Sequence, residues 1–330
     1  MPKTTFLPIF IIIINIFGFS NSAHCQEETG EKNYSFSFGT QFGFVHGQAF
    51  ELVYPDGNTK GELLSELTWD MKPVFYLGLQ LDFERANIMS APGFFTSLSA
   101  KFGIPADSGI MEDRDWLSTE NAALTNFSSH TNKTNAFVWI DIAVGASFPI
   151  KSFLYIKPFL SGSWMHFSFS GRDGYRKYAR YKTENPATFH PIDDNPETET
   201  ITGRVINYTQ DWLLIAAGFS IGTKILHPFS FELSFQISPF AYCAGTDHHI
   251  SRDTVFKDFT GWGLFLEPGC NVSFRVDQFE FSLDFAFRYI GRTRGASYEN
   301  EGGAGFYVSS SEAGANLSLL DTRFLVRLRL

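Results

Sequence analysis

A chain of 330 residues is long enough for one large β unit or two ordinary domains. Its formal charge of -9 argues against non-specific nucleic-acid binding, which requires a basic surface. The composition holds a conflict, 37 Phe within 17% aromatic residues at a mean hydropathy close to neutral, which a barrel resolves because half of each of its strands is polar.

The amino terminus carries Lys3, then an apolar run over residues 6–19, then the small and polar residues Ser20, Asn21, Ser22 and Ala23 before His24 and Cys25. The run is too short to span a bilayer comfortably. It predicts a signal peptide over residues 1–25, with residues 26–330 as the mature chain. Acylation of Cys25 is the alternative, against which Ser22 stands where a lipobox usually has an aliphatic residue.

Period-two alternation follows. Tyr34, Phe36, Phe38, Phe42 and Phe44 alternate with Ser35, Ser37, Gln41 and Gly43. Val138, Ile140, Ile142 and Val144 alternate with Trp139, Asp141 and Gly145. Phe229, Phe231, Leu233, Phe235 and Ile237 alternate with Ser230, Glu232, Ser234, Gln236 and Ser238. Phe279, Phe281, Leu283, Phe285 and Phe287 alternate with Glu280, Ser282, Asp284, Ala286 and Arg288. A soluble sandwich can alternate too, but large aromatics on one face and charge on the other, after a signal peptide, are the lipid-out, lumen-in pattern. Short turns are expected near 149–151, 227–228 and 277–278, and long polar loops at 105–134, 171–205, 245–258 and 293–312. The count predicts an all-β, ten-stranded antiparallel transmembrane β-barrel with long extracellular loops, residues 324–330 closing against the first strand. Cys243 and Cys270 are compatible with a disulfide or with two small unpaired hydrophobes.

Two short motifs carry chemistry. Met111-Glu112-Asp113-Arg114-Asp115-Trp116 holds an Asp-x-Asp pair, and Thr246-Asp247-His248-His249 an Asp-x-His pair. Residues two apart in an extended chain share a face, so each pair can aim both side chains at one place. Imidazole is the natural base at neutral pH, and two adjacent carboxylates repel until one takes a proton. The plainer readings are a solvated turn or calcium contact for the first and a surface loop or zinc contact for the second, though no third metal ligand can be placed. Parity puts Glu51 on the lumen face of the first strand. Asp247 and His249 reach that face only if a bulge at Pro239 reverses the alternation, leaving Phe240 and Tyr242 outward. Ser128 and His130 read as polar loop residues.

These segments resemble the omptin family, outer-membrane endopeptidases built on ten-stranded barrels. Met111 to Trp116 looks like the family's Met-x-Asp-x-Asp-Trp segment, and Asp247-His248-His249 like its Asp-x-His element. Leu64-Ser65-Glu66-Leu67-Thr68-Trp69, Glu51-Leu52-Val53-Tyr54 and, less specifically, Ser168-Phe169-Ser170-Gly171-Arg172-Asp173-Gly174 are similar in the same order along the whole mature chain. The resemblance implies a protease in the outer membrane of a diderm bacterium, its site facing outside. There Asp247 orients His249, and Asp113 and Asp115 hold and polarise a water that attacks the peptide bond without an acyl-enzyme. It implies polypeptide substrates, a monomer, no metal and no organic cofactor. It also implies contact with outer-membrane lipid, lipopolysaccharide included, for which Arg172, Arg176 and Lys177 are candidates against the plainer reading of solvated charge. Glu51 is the acid expected to bind a basic substrate side chain. The chain departs from the pattern at Gly245 and Asn126, where family members often carry acids, which puts dibasic preference in doubt. Two rival readings are a catalytically idle barrel that binds host protein as an adhesin, and a passive pore.

Overall fold

The computed structural model describes residues 34–55, 63–85, 92–195, 197–223 and 228–330. The expected signal peptide and Cys25 lie outside the described residues. Ten antiparallel strands follow one another: Tyr34–Tyr54, Ser65–Arg85, a third built from Gly93–Gly103 and Ala106–Asp115, Asn126–Lys151, Leu154–Tyr178, Glu199–Thr223, Phe229–His249, Thr254–Val276, a ninth built from Phe279–Ile290 and Arg294–Glu301, and Tyr307–Arg329. Each pairs with the next, and the last pairs with the first from Ser37↔Arg329 to Tyr54↔Glu312, closing the barrel. Pro105, which has no N–H to give a ladder, falls in the break within the third strand. A small hairpin, Tyr181–Thr183 with Thr188–Phe189, caps the connection after the fifth strand.

The alternation in sequence becomes two surfaces. Phe38, Phe42, Leu77, Leu160, Ile215, Phe231, Leu233, Phe279 and Leu283 all point outward and are exposed in a band around the wall. Toward the far rim it carries a row of Trp164, Tyr242 and Trp262, the amphipathic aromatics expected where lipid meets water, with Phe240 packed against Trp262. Crossing the apolar layer takes about 9–11 residues of a tilted strand. Strands of 21 to 26 residues therefore continue well past it at the rim away from the short turns.

That continuation corrects the expected loops. Much of 105–134, 171–205, 245–258 and 293–312 is strand rather than coil, and Ala106–Asp115 ladders with residues 126–134 apart from a register shift between Asp107 and Gly109. Above the membrane no lipid demands an apolar outer face, so the period-two signature fades while the hydrogen-bond ladder persists. The first short turn is Ser152-Phe153 rather than 149–151.

The lumen is filled in two layers. Nearer the short turns, buried charges are matched: Lys101 Nζ lies 2.5 Å from Asp321 Oδ2, which Tyr76 also bonds through its other oxygen, and Arg288 pairs with Glu267 and Asp141. Such groups tolerate burial only when paired and hydrogen-bonded. Above them Trp69, Trp139, Trp212, Phe137, Phe167, Phe169 and Tyr208 are fully enclosed, with Trp69 stacked 5.6 Å from Phe169 and 5.4 Å from Tyr208. Each large side chain removed from water contributes about 1.5–3 kcal/mol. This aromatic layer fills the waist of the barrel, against the reading as a passive pore, and an open cleft at the rim is lined in its apolar part by Leu67, Met111 and Ile206.

The parity problem on the seventh strand is solved where Pro239 sits. Pairing with the sixth strand runs regularly to Ile237↔Ala217 and resumes at Ala241↔Leu214, and pairing with the eighth shifts between Ser238 and Cys243. Opposite the shift, Trp262 adopts a left-handed φ of 63°. Phe240 and Tyr242 turn outward, and Cys243, Gly245 and Asp247 turn inward. Cys243 and Cys270 are both free.

Candidate active site

The cleft has a volume of about 480 Å³ between the first to fifth strands on one side and the sixth to tenth on the other. It lies past the aromatic row, outside the membrane-spanning part of the wall. Every residue singled out from the two motifs and the first strand lines it: Glu51, Asp113, Asp115, Asp247 and His249.

His249 ends the seventh strand, and Asp247 precedes it on the same face. Asp247 Oδ2 is 2.6 Å from His249 Nε2, and the Asp247 side chain is almost wholly buried, its Oδ1 without a hydrogen-bond partner. Arg252, in the short 3-10 turn that follows, places Nη2 2.6 Å from His249 Nδ1. A guanidinium only donates, so Nδ1 accepts and the ring proton sits on Nε2, facing the carboxylate. Phe256 packs edge-on against the imidazole at 5.7 Å. The ring is thus held on three sides, and Nδ1 carries the lone pair able to take a proton.

Asp113 and Asp115 come from the extension of the third strand, opposite Leu67 and Ser65 of the second. Ser65 Oγ donates to Asp113 Oδ1 at 3.3 Å, and Asn126 Nδ2 to Asp115 Oδ2 at 3.2 Å. Asn126 therefore serves this pair as a donor, in place of the acid expected there from the resemblance. Burial, then the charges of Asp115 and Asp247, hold the Asp113 carboxyl well above the usual range; the Ser65 hydroxyl and Arg252 oppose this. Asp115 is also raised by burial, against hydrogen bonds from Ser65 and Asn126 and the charges of Arg252 and His249. Two raised, adjacent carboxyls share a proton more readily than they hold two charges.

Glu51 is buried on the lumen face of the first strand, its Oε2 unpartnered. Burial raises its carboxyl well above the ordinary value, and Asp247, Asp258 and Asp113 add to this.

Three contributors were not legible as site residues. Ser128 and His130 are not loop residues; they are buried on the fourth strand, where Ser128 pairs with Asp113 in register. His130 Nδ1 lies 2.6 Å from the Asp173 carbonyl, so it carries the proton, and Nε2 accepts from Ser128 Oγ at 3.0 Å. Burial lowers the His130 pKa and keeps the ring neutral. Asp258, on the eighth strand, is buried with Oδ1 unpartnered. Spacing in the sequence offers no signal for it, because only cross-strand register brings it to the cleft. Among the described residues, no cluster of three or more His, Cys, Asp or Glu side chains is arranged to hold a metal ion.

The lipid candidates take part in surface ion pairs. Arg172 pairs with Asp107 and Asp173, Arg176 with Glu199, and Lys177 lies 3.7 Å from Asp193.

The Omptin family model matches residues 32–323. The chain belongs to the omptin family. The plasminogen activator of Yersinia pestis is 25% identical over 281 residues, spanning 84% of this chain and 82% of that protein. The crystal structure of the outer membrane protease OmpT from Escherichia coli superposes with a TM-score of 0.77 at 13% identity, covering 92% of this chain and 99% of that one. That likeness is one of fold, and it agrees with the ten-stranded ring found here. Family and barrel together put this omptin in the outer membrane of a Gram-negative cell.

Proposed function

We propose that this omptin is an endopeptidase whose cleft opens outside the cell and which hydrolyses peptide bonds beside basic residues by direct attack of water. The observation that carries the reading is the 2.6 Å Asp247–His249 contact, set in the wall of a cleft whose other wall presents Asp113 and Asp115. In this reading Arg252, an exposed side chain, swings away and a water takes its place at Nδ1. His249 takes one proton from that water as its oxygen bonds the scissile carbonyl carbon. The proton shared by Asp113 and Asp115 meets the developing oxyanion, and Asp247 stabilises the imidazolium. His249 then passes its proton to the leaving nitrogen as the C–N bond breaks, giving a carboxylic acid and an amine, which exchange a proton to leave as carboxylate and ammonium. General acid–base help of this kind is worth about 10²–10⁴-fold.

Buried Glu51, which pairs with no cation among the described residues, fits a guanidinium or ammonium from the substrate. A site this complete favours turnover over an idle barrel that only binds protein. The Ser128–His130 hydrogen bond supports a second reading, with Ser128 as nucleophile and an acyl-enzyme. A serine-directed phosphonate separates the two, since it abolishes cleavage only in the second.

The test is to refold the mature chain in detergent, with and without lipopolysaccharide, and read its cuts in a diverse peptide mixture by mass spectrometry. Cuts beside Arg or Lys are expected. A verified barrel that cuts nothing in either condition would favour the adhesin.

A further inference from the structure

Gly245 removes a side chain from the lumen face of the seventh strand, two residues before Asp247. Its register partner is Asp258 of the eighth strand. A Cβ built at Gly245 would lie 3.5 Å from Asp258 Cβ, 3.6 Å from Asp258 Oδ2 and 3.5 Å from the Tyr208 hydroxyl. The Asp258 carboxyl therefore lies beside the gap the glycine leaves, in ordinary van der Waals range of a side chain placed there. On its other side Asp258 pairs with Ser297 of the ninth strand, whose hydroxyl hydrogen-bonds it.

No cation among the described residues pairs with this carboxyl. Among the described residues, Asp258 Oδ1 and Glu51 Oε2 are buried without a hydrogen-bond partner, and both side chains line the cleft. Both residues are more than nine-tenths buried. In the lumen below, by contrast, Asp321 has Lys101, and Glu267 and Asp141 have Arg288. A barrel that pairs its deep carboxylates there and leaves two unpaired here holds an anionic pocket awaiting a donor from outside. Tyr208, fully buried on the sixth strand, is close enough to feel both charges.

We propose that Asp258 is a specificity residue of this protease: with Glu51 it forms a two-carboxylate pocket, delivered from the eighth strand beside the gap at Gly245, that binds the guanidinium or ammonium of the residue beside the scissile bond. The proposal rests on the endopeptidase reading above. It answers the doubt raised by Gly245, because the missing acid is replaced across the strand pair rather than along the strand. Two acids on different strands can grip the two edges of a planar guanidinium, and an isosteric neutral side chain would leave both unpaired.

The experiment takes a peptide that the wild-type protein cuts beside arginine and remakes it with citrulline, the neutral isostere. The ratio of kcat/KM for the two peptides is measured for wild type, Asp258→Asn, and Gly245→Asp combined with Asp258→Asn. Folding is checked by the altered gel migration of the unboiled barrel. The wild type is expected to favour arginine, and Asp258→Asn to lower the ratio about 10- to 100-fold, the usual worth of a hydrogen bond to a charged group. The double variant, which moves the acid back across the pair into ordinary van der Waals space, is expected to recover most of the preference. Asp258→Ser, still able to bond Ser297, substitutes if the amide variant does not fold. A ratio unchanged by loss of Asp258 overturns this assignment while leaving the protease standing, as does a wild type that cuts both peptides equally. A folded wild type that cuts no peptide overturns the endopeptidase reading and this one with it.

Discussion

Replacing Asp258 by asparagine is expected to stabilise the folded barrel, and by more at pH 8 than at pH 4. Burial lifts this carboxyl from 3.8 to about 6, with the Asp247 charge adding and the Ser297 hydrogen bond opposing. An acid raised on folding binds its proton more tightly in the native state than in the unfolded chain. Its contribution is favourable below the unfolded value and is lost as pH rises through the folded one. At about 1.4 kcal/mol for each tenfold in acidity, the penalty above pH 6 is on the order of 3 kcal/mol, largely gone at pH 4. The amide carries no charge and escapes it. Urea unfolding in detergent at the two pH values, followed by tryptophan fluorescence, gives the stability gap between wild type and variant. A gap that widens with pH by about 2–3 kcal/mol is predicted, and any pH-independent effect of the substitution cancels. An equal gap at both pH values, or a variant that loses ground at pH 8, would refute the claim that this carboxyl is buried without compensation. An unpaired acid retained at such a cost is the usual sign of a site kept for function.

Further outcomes follow from the same geometry. Arginine-over-citrulline selectivity should fall as pH drops below about 6, because Asp258 then takes its proton; a selectivity flat from pH 5 to 8 would contradict this. Lys101→Met removes the cation from Asp321 and is expected to cost about 3 kcal/mol in urea unfolding, the low end for breaking a buried pair, since Tyr76 still donates to the carboxylate. Asn126→Ala removes the donor to Asp115 and should lower kcat about tenfold with the barrel fold intact; an unchanged kcat would show that the contact is incidental.

The fold was legible because lipid imposes a rule that sequence must obey: Phe229 to Ile237 and Phe279 to Phe287 alternate because one side of each strand faces hydrocarbon. Even the reversal at Pro239 could be inferred, since Asp247 and His249 have no route to the lumen without it. Where the strands leave the bilayer the rule lapses, and Ala106–Asp115 and Arg294–Glu301 looked like loops. The Asp-x-Asp and Asp-x-His elements were visible because their members are local in sequence. Asp258 was not, because its place depends on register between strands, Gly245 against Asp258; Ser128 and His130 are as local as those pairs, but read as loop residues because the strand that carries them lacks an apolar outer face. Asn126 was read as a lost acid, whereas its amide supports Asp115.

The most direct test is the turnover of His249→Ala beside the wild type, on the peptide the wild type cuts best, with both proteins shown to be folded barrels. With the base removed, kcat is predicted to fall by about 10²–10⁴-fold while gel migration stays native. A folded His249→Ala variant that retains wild-type turnover would contradict water activation by the Asp247–His249 pair.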